Sequence, residues 1–361
     1  MDIKAKVVVA LSGGVDSSVA AALLRQQGYE VIGLTLRLWT DPAHSSQSDS
    51  VAAARLTAET LGIPLQVIDL TDTFHREIVQ FFLQEYGRGV TPNPCVRCNR
   101  LVKWGVLLEQ ARALGSDYLA TGHYARKRRT ADGSYELLRA LDHSKDQTYV
   151  LHVLTQERLA YALFPVGEYP KAEIRTLARN FGLPAATRRD SQDLCFLSGE
   201  DYRAFIRRNA PQIAVPGPIL TRTGEQIGVH QGLAYYTIGQ RKGLGISSPV
   251  PLYVLAKDAG SNTLIVGRTA ELGSHILTAQ DVNWISGEAP QKPFRAQVKT
   301  RYTAREAWAE VIPLDGNKVE ILFDASQRDI TPGQAAVFYD DDTVLGGGLI
   351  QSQKGPCDRG R

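Results

Sequence analysis

The chain has 361 residues, more than one hydrophobic core ordinarily organises, so two or three domains are expected. Apolar residues at 43% and charged residues at 22% exclude wholesale disorder, and no apolar run nears the roughly 18 residues of a membrane span. A net charge of +3 does not by itself imply nucleic acid. The start Met1-Asp2-Ile3-Lys4 lacks a signal-peptide layout, and four cysteines in such a chain suit catalysis or metal binding better than stapling, so a cytoplasmic protein is expected.

In chain order, Val7 to Leu11 reads as a buried strand, followed by a helix with Val19, Ala22 and Leu23 on one face. Val31 to Leu36 is the next strand, then a helix from Val51 to Leu61. Leu65 to Ile68 is strand-like; Phe74, Ile78, Phe81 and Phe82 mark a helix, as do Leu101, Trp104, Leu108 and Ala111 before a strand at Tyr118 to Thr121. Such alternation predicts an open parallel sheet with helices on both faces. After about Ala210, turn signals such as Thr223-Gly224 and Asp315-Gly316-Asn317 separate short strands at Thr237-Ile238, Tyr253 to Leu255, Thr263 to Val266, Lys318 to Phe323 and Ala336 to Tyr339. The fold class is α/β: a Rossmann-like N-terminal sheet (1–209), a small mostly-β linking domain (210–276) and a C-terminal β-barrel (277–361). The Ser-rich stretch from Asp41 to Ser50 reads as a mobile insertion.

The strongest chemical motif is Ser12-Gly13-Gly14-Val15-Asp16-Ser17-Ser18, between the first strand and the first helix. Its glycines let backbone N–H groups approach an anion, the helix beginning near Ser17 adds its positive end, and Asp16 is a candidate Mg²⁺ ligand. It is neither a Walker loop nor GxGxxG. Cys98 and Cys195 lie far apart, each in a polar segment; Cys98, in a Pro- and Asn-marked loop opening a helix, reads as a thiol activated by a helix N-terminus.

The heptad resembles the pyrophosphatase loop (PP-loop) of the adenine nucleotide α-hydrolase-like superfamily, whose members cleave ATP between the α and β phosphates to adenylate an oxygen. Thr91-Pro92-Asn93-Pro94-Cys95-Val96-Arg97-Cys98-Asn99, Ala120-Thr121-Gly122-His123-Tyr124, Lys145-Asp146-Gln147-Thr148-Tyr149, Ser191-Gln192-Asp193-Leu194-Cys195-Phe196 and Ile238-Gly239-Gln240-Arg241-Lys242-Gly243-Leu244-Gly245 follow in order. In this order, from residue 6 to about 350, they resemble the tRNA-specific 2-thiouridylases, a bacterial family that thiolates the wobble uridine.

The resemblance implies an ATP site at Ala10, Leu11, Ser12, Gly13, Gly14, Val15, Asp16, Ser17, Leu36 and Gly122. It implies tRNA contacts at Asn93, Pro94, Cys95, His123, Lys145, Asp146, Gln147, Arg301, Tyr302 and Gln334. In the implied reaction AMP is transferred to the uridine C2 oxygen, a Cys195 persulfide attacks C2, and Cys98 attacks the Cys195 sulfur, leaving a disulfide. The implied partners are tRNAs accepting glutamate, glutamine and lysine, and a cysteine desulfurase or sulfur carrier. Many members carry an acidic residue where this chain has Cys95. Cys95, Cys98 and Cys195 therefore also form a candidate ligand set for a [4Fe-4S] cluster with one open iron, and both routes stay open.

Arg126-Lys127-Arg128-Arg129 reads either as a phosphate-binding run or as a solvated turn; Gln240-Arg241-Lys242 is a further candidate RNA contact, and Cys357 is incidental. An amide-forming synthetase with the same first domain would not need the two cysteines, and an RNA-binding protein using ATP as a switch would not need an intact loop and both thiols.

Overall fold

The computed structural model describes residues 4–44, 50–188, 194–328 and 330–352. Residues 45–49 of the expected insertion, Ser191-Gln192-Asp193 and Cys357 lie outside the described residues. The strands are β1 (Lys6–Ala10), β2 (Glu30–Arg37), β3 (Leu65–Asp69), β4 (Tyr118–Ala120), β5 (Ala125–Arg129), β6 (Tyr135–Arg139), β7 (Ala162–Leu163), β8 (Gly217–Thr221), β9 (Gln226–His230), β10 (Tyr253–Asp258) and β11 (Thr263–Gly267). The last six are β12 (Ser274–Trp284), β13 (Phe294–Lys299), β14 (Ala307–Leu314), β15 (Lys318–Gln327), β16 (Ala335–Asp340) and β17 (Thr343–Ile350).

The first sheet runs β3-β2-β1-β4-β7 with every neighbour parallel. Val7, Val8 and Val9 are fully buried because helices cover both faces, which is why β1 is continuously apolar. The order in which strands are added reverses at β1, with β2 on one side and β4 on the other, so the crevice at its C-terminal end is the position where such sheets bind ligands. Helix Val15–Gln26 leaves that crevice and buries its apolar residues nearly all round against β1 and against helices Ser50–Leu61 and Lys171–Asn180.

Two long helices interrupt their α geometry. Residues 71–87 carry a π-helical stretch at His75–Gln80, and 94–113 carry one at Asn99–Val106, immediately after Cys98. Such stretches gather at functional sites because they re-aim side chains.

The linking sheet runs β10-β11-β8-β9. Thr237-Ile238, expected as a strand, instead enters the turn at Gly239 (φ +84°). The last six strands close on themselves, β12 pairing with both β15 and β17, so the barrel has no free edge. Gly346, Gly347 and Gly348 make this closure possible: a Cβ on them would lie 2.4 Å from the Asn283 carbonyl oxygen, 2.8 Å from the Ala336 oxygen and 2.7 Å from the Gln280 oxygen, respectively.

The hairpin β5–β6 belongs to the first domain in sequence but pairs with the barrel, Leu138 opposite Thr343 and Leu137 opposite Val344. It also corrects the phosphate-binding reading of the basic run. Arg126 bonds Asp342 and the Arg139 carbonyl, Lys127 donates to the Leu159 and Ala160 carbonyls, Arg128 pairs with Glu136, and Arg129 donates to the Gly133 carbonyl. Asp41, placed by sequence in the insertion, is buried and paired with Arg208.

Candidate active site

The phosphate loop sits at the crevice above β1. Gly13 has φ +73°, and a Cβ on it would lie 2.7 Å from Ala53 Cβ and 2.9 Å from the Ser50 carbonyl oxygen, so only glycine lets helix Ser50–Leu61 seat against the loop. The helix begins at Val15 rather than near Ser17, with Gly14 as N-cap and no side chain capping it. Its first N–H groups therefore point into the crevice without a capping acceptor, the arrangement that binds anions. The hydroxyls are organised around this turn: Ser17 and Ser18 donate to the Gly14 carbonyl (3.1 and 2.9 Å), while Ser12 Oγ lies 3.2 Å from Ser17 Oγ.

Asp16 does not stand open for a metal. Lys171 Nζ donates to both its oxygens at 2.7 and 2.9 Å, and Tyr124 Oη donates to Oδ1 at 2.8 Å. A Mg²⁺ ion on Asp16 would have to displace this nearly buried lysine, so the carboxylate as arranged does not fit the role read from the sequence. Arg188 adds a second cation, donating to the Gly13 carbonyl at 2.9 Å. Gly122 packs directly on the start of the helix and Leu36 is half-buried at the end of β2.

The thiols lie on the other wall. Asn93 caps helix Pro94–Cys98, its Oδ1 accepting from Val96 N at 3.2 Å, with Pro94 at the first turn. Cys98 is thus at the end of that short segment, not at a helix N-terminus, and the expected depression of its pKa does not occur. Burial pushes the Cys98 thiol up to about 11, Lys103 opposing and Cys95 reinforcing the shift. Burial, then the neighbouring Cys98 and Cys95, push Cys195 up to about 12; burial raises Cys95 as well. Cys95 and Cys195 nonetheless reach solvent and Cys98 is half-buried, and the three free thiols are near enough to raise one another's pKa. Cys195 stands on a turn anchored by Phe196, whose ring meets Phe82 at 5.2 Å and Phe205 at 5.4 Å.

Lys103 joins the two walls. Its Nζ lies 3.3 Å from His123 Nε2, and His123 Nδ1 lies 2.8 Å from Thr121 Oγ1. Burial, reinforced by Lys103, holds the His123 pKa well below its ordinary value, so the ring is neutral, Nε2 accepts from the ammonium and Nδ1–H donates to Thr121.

The remaining residues read as tRNA contacts fall into two groups. Tyr302 is exposed, its ring 6.0 Å from that of Tyr149, and Arg301 donates to the Ile238 carbonyl and Thr331. Asp146 is buried and accepts from Ala140 N and Thr148; Gln147 accepts from Tyr124 N; Gln334 donates to the Thr91 and Pro92 carbonyls, and Lys145 is half-buried in the same turn. These four shape the turns that present His123 and Asn93. Lys103, Lys171 and Arg188 were not singled out from the sequence, and Tyr124 was quoted only within the Ala120–Tyr124 motif. Only Pro170 before Lys171, a helix-start signal, distinguishes any of them.

Family models match three consecutive segments: a tRNA methyl transferase HUP domain at residues 5–199, a tRNA methyl transferase PRC-barrel domain at 203–268 and an aminomethyltransferase beta-barrel domain at 274–350. The tRNA-specific 2-thiouridylase of Caldanaerobacter subterraneus subsp. tengcongensis is 46% identical, covering 98% of this chain and 100% of that protein. The chain belongs to the tRNA-specific 2-thiouridylase family. Two further members, from Magnetococcus marinus and Symbiobacterium thermophilum, are 48% and 49% identical, each over 96% of this chain and over 98% and 92% of their own length.

Proposed function

We propose that the chain is an ATP-dependent tRNA-uridine 2-sulfurtransferase. One observation carries the reading: the uncapped phosphate loop and a crevice of mutually influencing thiols are joined by the Gly122-His123-Tyr124 segment. ATP, as substrate, places its phosphates on the first N–H groups of helix Val15–Gln26, with Ala10 to Ser17, Leu36 and Gly122 enclosing the nucleotide. Mg²⁺ enters as the counter-ion of the leaving pyrophosphate rather than on Asp16, and Lys171 and Arg188 flank the loop as fixed cations.

The target uridine is presented by Asn93, Pro94, Cys95 and His123, with Arg301 and Tyr302 clamping the strand and Lys145, Asp146, Gln147 and Gln334 holding the presenting turns. Its C2 oxygen attacks the α-phosphorus and pyrophosphate departs. The terminal sulfur of a Cys195 persulfide attacks C2 and AMP leaves. Cys98 thiolate then attacks Cys195 Sγ; the persulfide S–S bond breaks, its electron pair passing to the sulfur on C2, and a Cys98–Cys195 disulfide forms. A thiol reductant resets the pair, and a cysteine desulfurase or sulfur carrier reloads it. The work is divided among units 1–209, 210–276 and 277–361 in a cytoplasmic protein.

The alternative use of the thiols is a [4Fe-4S] cluster. Three thiolates are the right donors, yet among the described residues no group of three His, Cys, Asp or Glu converges closely enough to hold a metal ion. The arrangement does not fit a cluster, and no step is routed through one. Iron and labile-sulfide assay after anaerobic purification checks this directly. For the reaction itself, Cys195→Ser should abolish 2-thiouridine formation on mercury-affinity gels while tRNA binding persists. Full-rate thiolation by that variant overturns the proposal.

A further inference from the structure

A cavity of about 500 Å³ opens beside Arg301, the side chain already placed on the tRNA strand, and its other lining residues have no role in the reaction described above. Helix Tyr202–Asn209 contributes Tyr202 and Arg203, the turn after Thr237 contributes Gln240 and Lys242, and the start of the segment beyond β13 contributes Arg301. Among the described residues, three cations line it and no carboxylate does. The walls are built rather than incidental. Arg203 Nε donates to the Tyr235 carbonyl at 3.0 Å and Tyr202 Oη to the same oxygen at 3.2 Å. Gln240 Nε2 donates to the Lys242 carbonyl at 2.9 Å and Gln240 Oε1 accepts from Thr237 N at 3.1 Å. Gly239 and Gly243 both have positive φ (+84° and +75°), so the turn holds a conformation that a side chain at either position would oppose.

The cavity is continuous in sequence with the thiol crevice on both sides. Cys195 precedes Tyr202 by two turns, and Tyr302 follows Arg301 directly. Arg301, which the reading above places on the strand, is one of the side chains that line this opening. We infer that the cavity is a phosphodiester subsite, in which Lys242, Arg203 and Arg301 take the backbone of the RNA next to the target nucleotide, with Tyr202 beside its base. The inference rests on the tRNA reading above. An RNA phosphodiester is favoured over a free phosphate because the cavity lies apart from the nucleotide loop and opens broadly, with an aromatic ring in its wall.

Lys242→Ala and Lys242→Glu test it, since Lys242 lies on the exposed rim and neither variant removes a wall contact. Binding of unmodified substrate tRNA is followed by fluorescence anisotropy across a salt series, with inorganic pyrophosphate as a competing probe. Lys242→Ala should lower the slope of log Kd against log salt by about 0.7, the value for one lost phosphate contact on a single strand, and Lys242→Glu should weaken binding by about tenfold or more. Arg203→Lys, which keeps the charge but not the planar fork, should weaken binding by a smaller factor. If wild-type protein binds tRNA and both Lys242 variants match it in affinity and slope, the subsite is refuted while the function stands. If the variants lose pyrophosphate competition but keep tRNA affinity, the cavity serves a free anion and the inference falls. If the wild-type protein fails to bind tRNA, it is the functional reading that fails.

Discussion

Replacing Gly122 by alanine is the most direct probe of how the sheet positions the nucleotide. A Cβ at this position would lie 2.6 Å from Ser17 N, 2.8 Å from Asp16 C and 3.0 Å from Ser17 Cα. All three are backbone atoms of the first helical turn, so no side chain can rotate aside. Ordinary heavy-atom contacts lie at about 3.5 Å, so the Thr121–Tyr124 segment and the loop must separate by about 1 Å. Overpacking of this kind costs about 1–3 kcal/mol, which should lower Tm by several degrees. The functional cost is larger, because a misplacement of about 1 Å costs on the order of 10²-fold in rate. ATP titration calorimetry and single-turnover thiolation measure the two effects separately. An alanine variant with wild-type ATP affinity, rate and Tm would refute the claim that this contact sets the loop.

Other expectations follow from the same geometry. Asp16→Asn leaves the Lys171 ammonium, only 11% exposed, without its carboxylate and should cost about 3 kcal/mol in urea unfolding; adding Lys171→Met should restore part of it, and strict additivity would refute the pairing. Burial lowers the His152 pKa to about 4, so the unfolded chain takes up the proton first as pH falls. The stability held above about pH 6.5 is therefore lost toward pH 4, by about 2 kcal/mol between pH 7 and 5, and His152→Gln should flatten that slope. With Cys98 raised to about 11 and Cys195 to about 12, iodoacetamide alkylation of the free enzyme should keep climbing roughly tenfold per pH unit through pH 9; a plateau near pH 8 would contradict the burial argument.

The parallel sheet was legible because β1, β2 and β4 are largely buried and read as apolar runs, with the half-exposed edge strand β3 marked by Leu65, Val67 and Ile68. The phosphate loop was legible because its glycines have no other economical use. What stayed hidden was charge placement. Lys171 and Arg188 reach the loop from far along the chain, and Lys103 reaches His123 from a π-helical stretch, and neither kind of approach leaves a periodic trace. The run Arg126 to Arg129 looked like a surface patch because its partners, Glu136, Asp342 and the carbonyls of Gly133, Leu159 and Ala160, come from folding. Of the barrel, the sequence reading placed only β15 and β16; among the strands it missed, β12 shifts register between Gln280 and Asn283, and three glycines dilute the strand pattern of β17. Cys98 was assigned to a helix start because Asn93 and Pro94 do open a helix, but one that has already turned by the time it reaches the thiol.

The hairpin β5–β6 welds chemistry to recognition. Backbone hydrogen bonds run from the segment following His123 into the barrel wall, and Arg139, donating to Glu306 and to the Asp341 and Asp342 carbonyls, rivets the joint. Strand pairing tolerates shear poorly, so the barrel cannot swing as an independent arm on this side. Any closure over a bound RNA has to respect this seam and the buried core in which Ile219, Val254 and Val266 of the linking sheet pack with Phe74, Phe82 and Phe205 of the first domain.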